Sequence, residues 1–305
     1  MSNLKASMLI GGVVLSALSA SAQAEITVLD KNPQSNALLA PLSLQVGGSI
    51  RPEWIFNNGP EPGYYKNGHD GGTRFRFRGD YKLTQDTSII AYYELGVDMA
   101  NLLGMNGHYE EGSQRDTQRQ LYAGFKDDRY GTLTYGHQYG IYYSVVGIKS
   151  DVWDNDGHAG GTGIGINGSY DGANKPKSSL KYTNDFGPVT LYANYLLPED
   201  EIQAGENQHY RRNNGGGLGF DYKLTKDLVW SAAYSLTDAT VKDNQYNEKD
   251  YHQQLSGTAL TWQPNNWYIV GTGSYYKDFV PSTRENPVDH YFAGSGYGVE
   301  GFVGY

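Results

Sequence analysis

The residues in this chain best suited to chemistry are charged side chains in register, not nucleophiles. Arg74, Arg76 and Arg78 recur with a period of two, with Phe75 and Phe77 between them. In an extended strand that spacing sends the three guanidinium groups to one face and both rings to the other. Arg119 lies on a later segment and can join them, with Gln120 and Tyr122 opposite in parity. Lys175, Lys177 and Lys181 repeat the alternation against Leu180 and Tyr182. Between these groups runs a Gly- and Asp-rich stretch that carries Asp151, Asp154 and Asp156. Cations on one wall and carboxylates opposite them would set a transverse field across a narrow aqueous passage. Such a field orders water and favours polar solutes over apolar ones, and close arginines need counter-charge nearby. Arg51 and Arg78 are further candidates for the same polar, lumen-facing side.

Other motifs carry less. Gly163 to Gly168 spells GxGxxG, but a Gly/Asp loop precedes it and another strand-like segment follows. A dinucleotide fingerprint needs a strand before it and a helix after it, so this reads as loop flexibility. Asp154-Asn155-Asp156-Gly157 resembles part of a calcium loop, without the later bidentate glutamate. The seven histidines form neither H-x-x-x-H nor HExxH, so zinc is not expected. His69-Asp70 and Asn167-Gly168-Ser169 offer catalytic residue types with no nucleophile context. The chain has no cysteine, which removes thiolate chemistry and disulfides. A net charge of −9 argues against nucleic acid as a partner. Neither enzyme activity nor a cofactor or metal is expected.

The elements that must position the charges are strands. Residues 1–24 read as a secretion signal, with Lys5, an apolar core from Met8 to Leu18, and the small-residue site Ala22-Gln23-Ala24. That core is too short for a spanning helix. In residues 25–305 no long apolar stretch follows. Instead, segments of about ten residues alternate apolar and polar side chains, which is the pattern of a transmembrane antiparallel β-barrel. In lipid every backbone N–H and C=O needs an internal partner, so a polar-looking chain can span only as a closed sheet. An arginine on the lipid face costs roughly 2–4 kcal/mol at the midplane, which turns the arginine face toward the lumen.

About twelve strand-like segments can be read, among them Thr73–Leu83, Arg119–Phe125, Gly131–Gly140, Val189–Leu197 and Tyr297–Tyr305. Short turns such as Thr225-Lys226-Asp227 alternate with polar stretches at 198–213, 237–250 and 278–294, the asymmetry of periplasmic and extracellular ends. The longest stretch without strand character is about 141–174, and a long structureless loop in a compact fold is usually functional. The 27 tyrosines suit an amphipathic belt at the membrane surface. Tyr92, Tyr192 and Tyr268 fall on the lumen side.

At these residues the chain resembles the general trimeric porins of the enterobacterial outer membrane. Arg74-Phe75-Arg76-Phe77-Arg78-Gly79-Asp80 looks like that family's second strand. Arg119-Gln120-Leu121-Tyr122-Ala123-Gly124-Phe125-Lys126 resembles its fourth, and Gly131 to Gly140 the lead into its inward-folded third loop. Arg211 to Gly217 and Asn265 to Val270 are also similar. The resemblance implies an all-β transmembrane barrel domain in residues 25–305, of a family with 16 strands of which about twelve are visible here, with 141–174 as the constriction loop. It implies passive diffusion of small hydrophilic solutes, without cofactor or energy coupling. Arg74, Arg119 and Lys175 would form the cationic wall beside Arg76, with Asp151, Asp154 and Asp156 facing them. The implied partners are two further copies in a homotrimer, outer-membrane lipid and lipopolysaccharide, the barrel assembly machinery, and small polar solutes.

Three departures stand out. His137 replaces the family's usual arginine, and the third loop lacks a Pro-Glu-Phe-Gly-Gly core. The Glu300 to Tyr305 end resembles a strand about three quarters of the way through the family barrel. The chain therefore reads as truncated, with closure as a smaller barrel the alternative. Two other functions remain open at this point. One is a sugar-preferring channel using the lumen tyrosines. The other is a non-conducting surface receptor or adhesin using the long loops.

Overall fold

The structure, a computed structural model, describes residues 25–31, 38–53, 69–70, 72–102, 116–151, 172–205, 208–243, 245–280 and 294–305. The signal at 1–24, Asp154, Asp156 and the Gly163–Gly168 motif lie outside the described residues.

The elements follow from the alternation. They are β1 (Ile26–Leu29), β2 (Leu42–Ser49), β3 (Pro52–Glu53), β4 (His69–Asp70), β5 (Arg74–Lys82), β6 (Thr87–Val97), α1 (Met99–Leu102), β7 (Asp116–Asp127) and β8 (Gly131–His137). A π-helical turn (Tyr143–Gly147) and α2 (Ile148–Ser150) come next. Then come β9 (Ser179–Phe186), β10 (Val189–Leu196), β11 (Glu199–Gly205), β12 (Gln208–Lys223), β13 (Leu228–Asp243), β14 (Glu248–Trp262), β15 (Tyr268–Phe279) and β16 (Gly294–Gly304). Fourteen strands form one sheet in the order β1-β2-β5-β6-β7-β8-β9-β10-β12-β13-β14-β15-β16, with β11 paired onto β12. β3 and β4 pair with each other. From β7 onward every ladder between sequential neighbours is antiparallel. The chain forms two compact units, one with Gln45–Phe77 and Glu94–Gln118, the other with Leu29–Leu44, Arg78–Tyr93 and Arg119–Tyr305.

In the larger unit the two faces of the sheet differ in chemistry. Leu191, Leu218, Trp230, Tyr234, Leu260 and Trp262 stand exposed on one face. Ser231, Ala233, Ser235, Leu255 and Ala259 are buried on the other. An exposed apolar face opposite a covered, more polar one is the inside-out arrangement that lipid requires. Trp267 packs on Tyr305 at 4.9 Å, and Phe220 on Trp230 at 5.0 Å, near the ends that carry the short turns. Ring clusters at strand ends suit a membrane–water boundary.

The strands exceed the sequence reading in number and in length. β1, β3 and β4 span four, two and two residues, too few for alternation to register. Most of 198–213 and 237–250 is strand rather than loop, because β12 and β13 each run 16 residues and β14 runs 15. A tilted strand crosses the bilayer in about 9–11 residues. Beyond that length a strand need not alternate for lipid, so the ladder continues while its hydrophobic alternation fades, as at Asp238, Thr240 and Lys242. The 141–174 stretch is also not structureless where it is described, since residues 143–150 are helical.

At the tip between β13 and β14 one carboxylate gathers three donors, beside the backbone bonds from Asp243 N to Asn247 O at 3.1 Å and Tyr246 N to Asp243 O at 3.0 Å. Asp243 accepts the backbone N–H groups of Gln245 at 2.8 Å and Asn247 at 2.9 Å, and the side-chain amide of Asn247 at 2.9 Å. The bond from the Asn247 side chain, followed by its backbone N–H, holds the Asp243 carboxyl below the usual carboxylate range. A depressed pKa stabilises the tip above the unfolded value near pH 4, and the contribution is lost as pH falls through the folded value. Amide exchange at Gln245 and Asn247, corrected for intrinsic rates, should therefore lose protection below about pH 4. Asp243→Asn should make that protection independent of pH. Equal acid sensitivity in both proteins would show that another group controls the turn.

Candidate functional site

In the unit holding residues 45–77 and 94–118, β5 alternates as its sequence requires. Phe75 and Phe77 are 37% and 44% exposed, while Arg74 and Arg76 are half-buried on the opposite side. Arg76 Nε donates to Glu94 Oε2 at 2.8 Å, and the Glu94 side chain is almost wholly buried. Removing one partner of such a buried pair leaves an uncompensated charge, at a cost of roughly 3–5 kcal/mol. Arg51 is tied locally, its backbone N–H donating to Thr73 Oγ1 at 3.0 Å and its Nε to Ser49 Oγ at 3.1 Å. The Asp70 carboxylate accepts the backbone N–H groups of Gly72, Thr73 and Met99. It is a rivet for the chain around β4 and α1 rather than a base.

In the other unit, Arg78 lies over the Tyr92 ring at 5.8 Å, and Tyr92 stacks on Tyr122 at 5.1 Å. This contact fixes the parity of β7. Gln120 is 5% exposed and shares the Tyr122 side, whereas Leu121 and Phe125 are 48% and 55% exposed on the other. Arg119 is half-buried with the parity opposite to Gln120 and Tyr122, and its charge, like those of Lys175 and Lys177, acts on the buried His137. Lys175 and Lys177 also precede β9 rather than lie within it, and Ser178 has φ of +49°, so strand alternation does not extend back to them.

Two of the sequence-derived charges are joined through a pair of rings. The Lys175 ammonium sits 5.6 Å from the Tyr139 ring centroid, and Tyr139 stacks on Tyr143 at 4.4 Å. The Tyr143 hydroxyl donates to the Asp151 carboxylate. A cation and a carboxylate thus hold the two ends of one aromatic stack.

The segment carrying Tyr143 and Asp151 is positioned from its entry to its end. At the entry, Gln138 Nε2 donates to Ser179 O at 2.8 Å, and Thr134 Oγ1 to Gln138 Oε1 at 2.6 Å. Lys181 Nζ donates to Tyr139 O at 3.0 Å and Ser144 Oγ at 2.7 Å. In the middle, Ile141 and Val145, and Tyr142 and Val146, are four residues apart and so share one helical face. That face packs on Ala233, Leu255, Ala259, Tyr276 and Phe279. Glycines make the room: a Cβ on Gly219 would stand 3.0 Å from both Ile141 Cγ2 and Val145 Cγ2, and one on Gly257 would stand 2.8 Å from Tyr142 Cε2. At the end, Lys149 Nζ reaches Asp221 at 3.4 Å, Tyr268 donates to Lys149 O at 2.6 Å, and Ser150 Oγ donates to Glu300 Oε2 at 2.7 Å. Asp221 also accepts Tyr192 at 3.0 Å and Ser231 at 2.5 Å. The hydroxyls of Tyr192 and Tyr268 are therefore engaged in fixing this segment and its support.

A profile of the Gram-negative porin family matches residues 11–302. The chain belongs to the Gram-negative porin family. Outer membrane protein F of Serratia marcescens is 24% identical over 223 residues, covering 70% of this chain and 56% of that protein. Outer membrane porin F of Escherichia coli K12 is 21% identical over 241 residues, covering 78% of this chain and 63% of that protein. Among solved structures, OmpF of Salmonella typhi in complex with daunomycin superposes with a TM-score of 0.55 at 16% identity, covering 77% of this chain and 66% of that one. The chain spans about half to two thirds of the length of these relatives. The likeness shows the fold, so the sheet is that of a porin β-barrel, and this porin belongs to the Gram-negative outer membrane.

Sequence reasoning missed Glu94, Asp221, Glu300 and Gln138. Glu94 had a usable signal, since it lies on the polar side of a strand neighbouring the arginine strand. Asp221 and Glu300 lie more than 70 residues from Lys149 and Ser150, and nothing local marks such pairs. The docking of the helical segment yields a test. Gly257→Ala should overpack the Tyr142 ring and destabilise the porin by about 1–3 kcal/mol, read as a lower urea midpoint for loss of β-structure. An unchanged midpoint would mean the segment is not held against that glycine.

Proposed function

We propose that this porin forms a water-filled outer-membrane channel for passive diffusion of small hydrophilic solutes and ions, with Arg74, Arg76 and Lys175 among the charges lining its lumen. Asp151 supplies negative charge at the far end of the Tyr139–Tyr143 stack. One observation carries the reading: a helical segment ending in Lys149 and Asp151 is bolted to the covered face of a sheet whose opposite face is suited to lipid. A pore whose loop is fixed conducts steadily and discriminates by charge and size rather than by a chemical step. Segment 141–174 is the constriction loop in this reading, with Asp154 and Asp156 as further acidic candidates, and Arg51, Arg78 and Arg119 as additional cations.

The proposal includes export with loss of residues 1–24, insertion by the barrel assembly machinery, contact with lipopolysaccharide, and assembly as a homotrimer. Family membership and the porin relatives support these steps. The lone alternation of apolar and polar residues would equally suit a surface receptor, but a receptor needs no internal segment anchored at both ends.

The test is planar-bilayer recording across a salt gradient. A unit charge about 4 Å from a passing ion is worth roughly 1 kcal/mol in water, so removing one cation should change the permeability ratio by about two- to fivefold. Lys175→Gln and Arg74→Gln should each move the reversal potential toward cation preference. A potential unmoved by both would overturn the assignment of these residues to the lumen, and absence of any conductance would overturn the channel reading for this chain.

A further inference from the structure

Arg212 is the largest fully buried side chain in the described structure, and it is charged. A buried guanidinium is costly unless its donors and its charge are matched. Here Nε donates to Leu197 O at 2.9 Å and Nη2 to Lys177 O at 2.8 Å, with Glu199 Oε1 3.6 Å from Nη2. The side chain starts from β12, where Arg212 pairs with Ala239 on one side and Glu199 on the other. Its fork therefore joins the corner between β10 and β11 to the leg that returns into β9.

That return leg carries Lys175. On one side it is held by the entry to the helical segment, with Gly140 N donating to Asn174 O at 2.8 Å and Gln138 N to Pro176 O at 3.3 Å. On the other side Leu197 N donates to Ser178 O at 3.0 Å, and the Arg212 fork takes the neighbouring Lys177 carbonyl. Ser178, with φ of +49°, turns the chain between this leg and β9. The leg lies outside the strands, and these bonds hold it where the Lys175 ammonium stands over Tyr139.

We infer that Arg212 is a positioning residue for pore selectivity, acting through the Lys177 carbonyl to fix the Lys175 ammonium over the Tyr139 ring. Its planar fork bonds two carbonyls on two segments at once. A lysine in its place is a flexible point charge and does not reproduce that geometry. The inference rests on the reading of Lys175 as a lumen charge.

The experiment is a double-mutant cycle on the full 305-residue chain, with reversal potential in a potassium chloride gradient as the readout. Arg212→Lys should raise the cation-to-anion permeability ratio by about twofold, in the same direction as Lys175→Gln. In the Lys175→Gln background it should add nothing. An unchanged potential in Arg212→Lys, or an equal shift in both backgrounds, would overturn the inference while leaving the Lys175 reading intact. A Lys175→Gln variant with the wild-type potential would instead overturn the Lys175 reading and this inference with it. Arg212→Gln, which buries no charge, takes the place of Arg212→Lys if the latter does not assemble. If neither yields folded porin, Arg212 is a folding residue only and the inference is wrong.

Discussion

The packing of Ile141, Tyr142, Val145 and Val146 onto the small-residue patch of β12 to β15 governs the placement of everything else in the larger unit. The backbone of a membrane barrel is satisfied by its own ladders. A segment lying on the covered face has no ladder and must be held by side chains. Each buried aliphatic or aromatic side chain contributes roughly 1.5–3 kcal/mol, so four of them amount to several kcal/mol. The patch accepts them because Gly217, Gly219 and Gly257 leave room where any Cβ would collide. An apolar island on an otherwise polar face gives the segment one resting place.

Electrostatics then completes what packing begins. The island sets the position of the π-helical turn, and polar contacts at either end set its direction. Lys181 binds the entry, while Asp221, Glu300 and Tyr268 bind the end. Several acids that contribute to the chain's negative charge are thereby committed to structure. Glu94 holds Arg76, Asp221 holds Lys149, and Glu199 faces Arg212. The net charge of −9 consequently says little about which ions a lumen would favour.

Much of the architecture was legible because a strand at a lipid boundary must alternate. Phe75 and Phe77, set between three arginines, placed the faces of β5 without any tertiary information. Legibility failed where the alternation has another cause or none. Asp238 and Thr240 read as loop because β13 runs 16 residues, longer than a lipid span requires, and the excess needs no apolar side. The charge of Arg119 marked it as a candidate, but nothing in its segment announced that Tyr122 would stack on Tyr92 from the neighbouring strand. In sequence Lys175 and Lys177 continue the β9 pattern across Ser178, whose left-handed backbone breaks it.

The sequence by itself determined the barrel class, the strand faces and the presence of an unusual segment after residue 140. All of these are local: they follow from period-two patterning, turn residues and the cost of exposing backbone polar groups to lipid. Only the tertiary structure decided which distant polar groups meet. Ser150 meets Glu300 across 150 residues, and Arg212 reaches the Lys177 carbonyl across 35. Such pairs depend on strand register and on the room left by particular glycines. They arise only once the ladders are formed, because a side chain a few ångströms long can choose its partner only from what the sheet brings within reach.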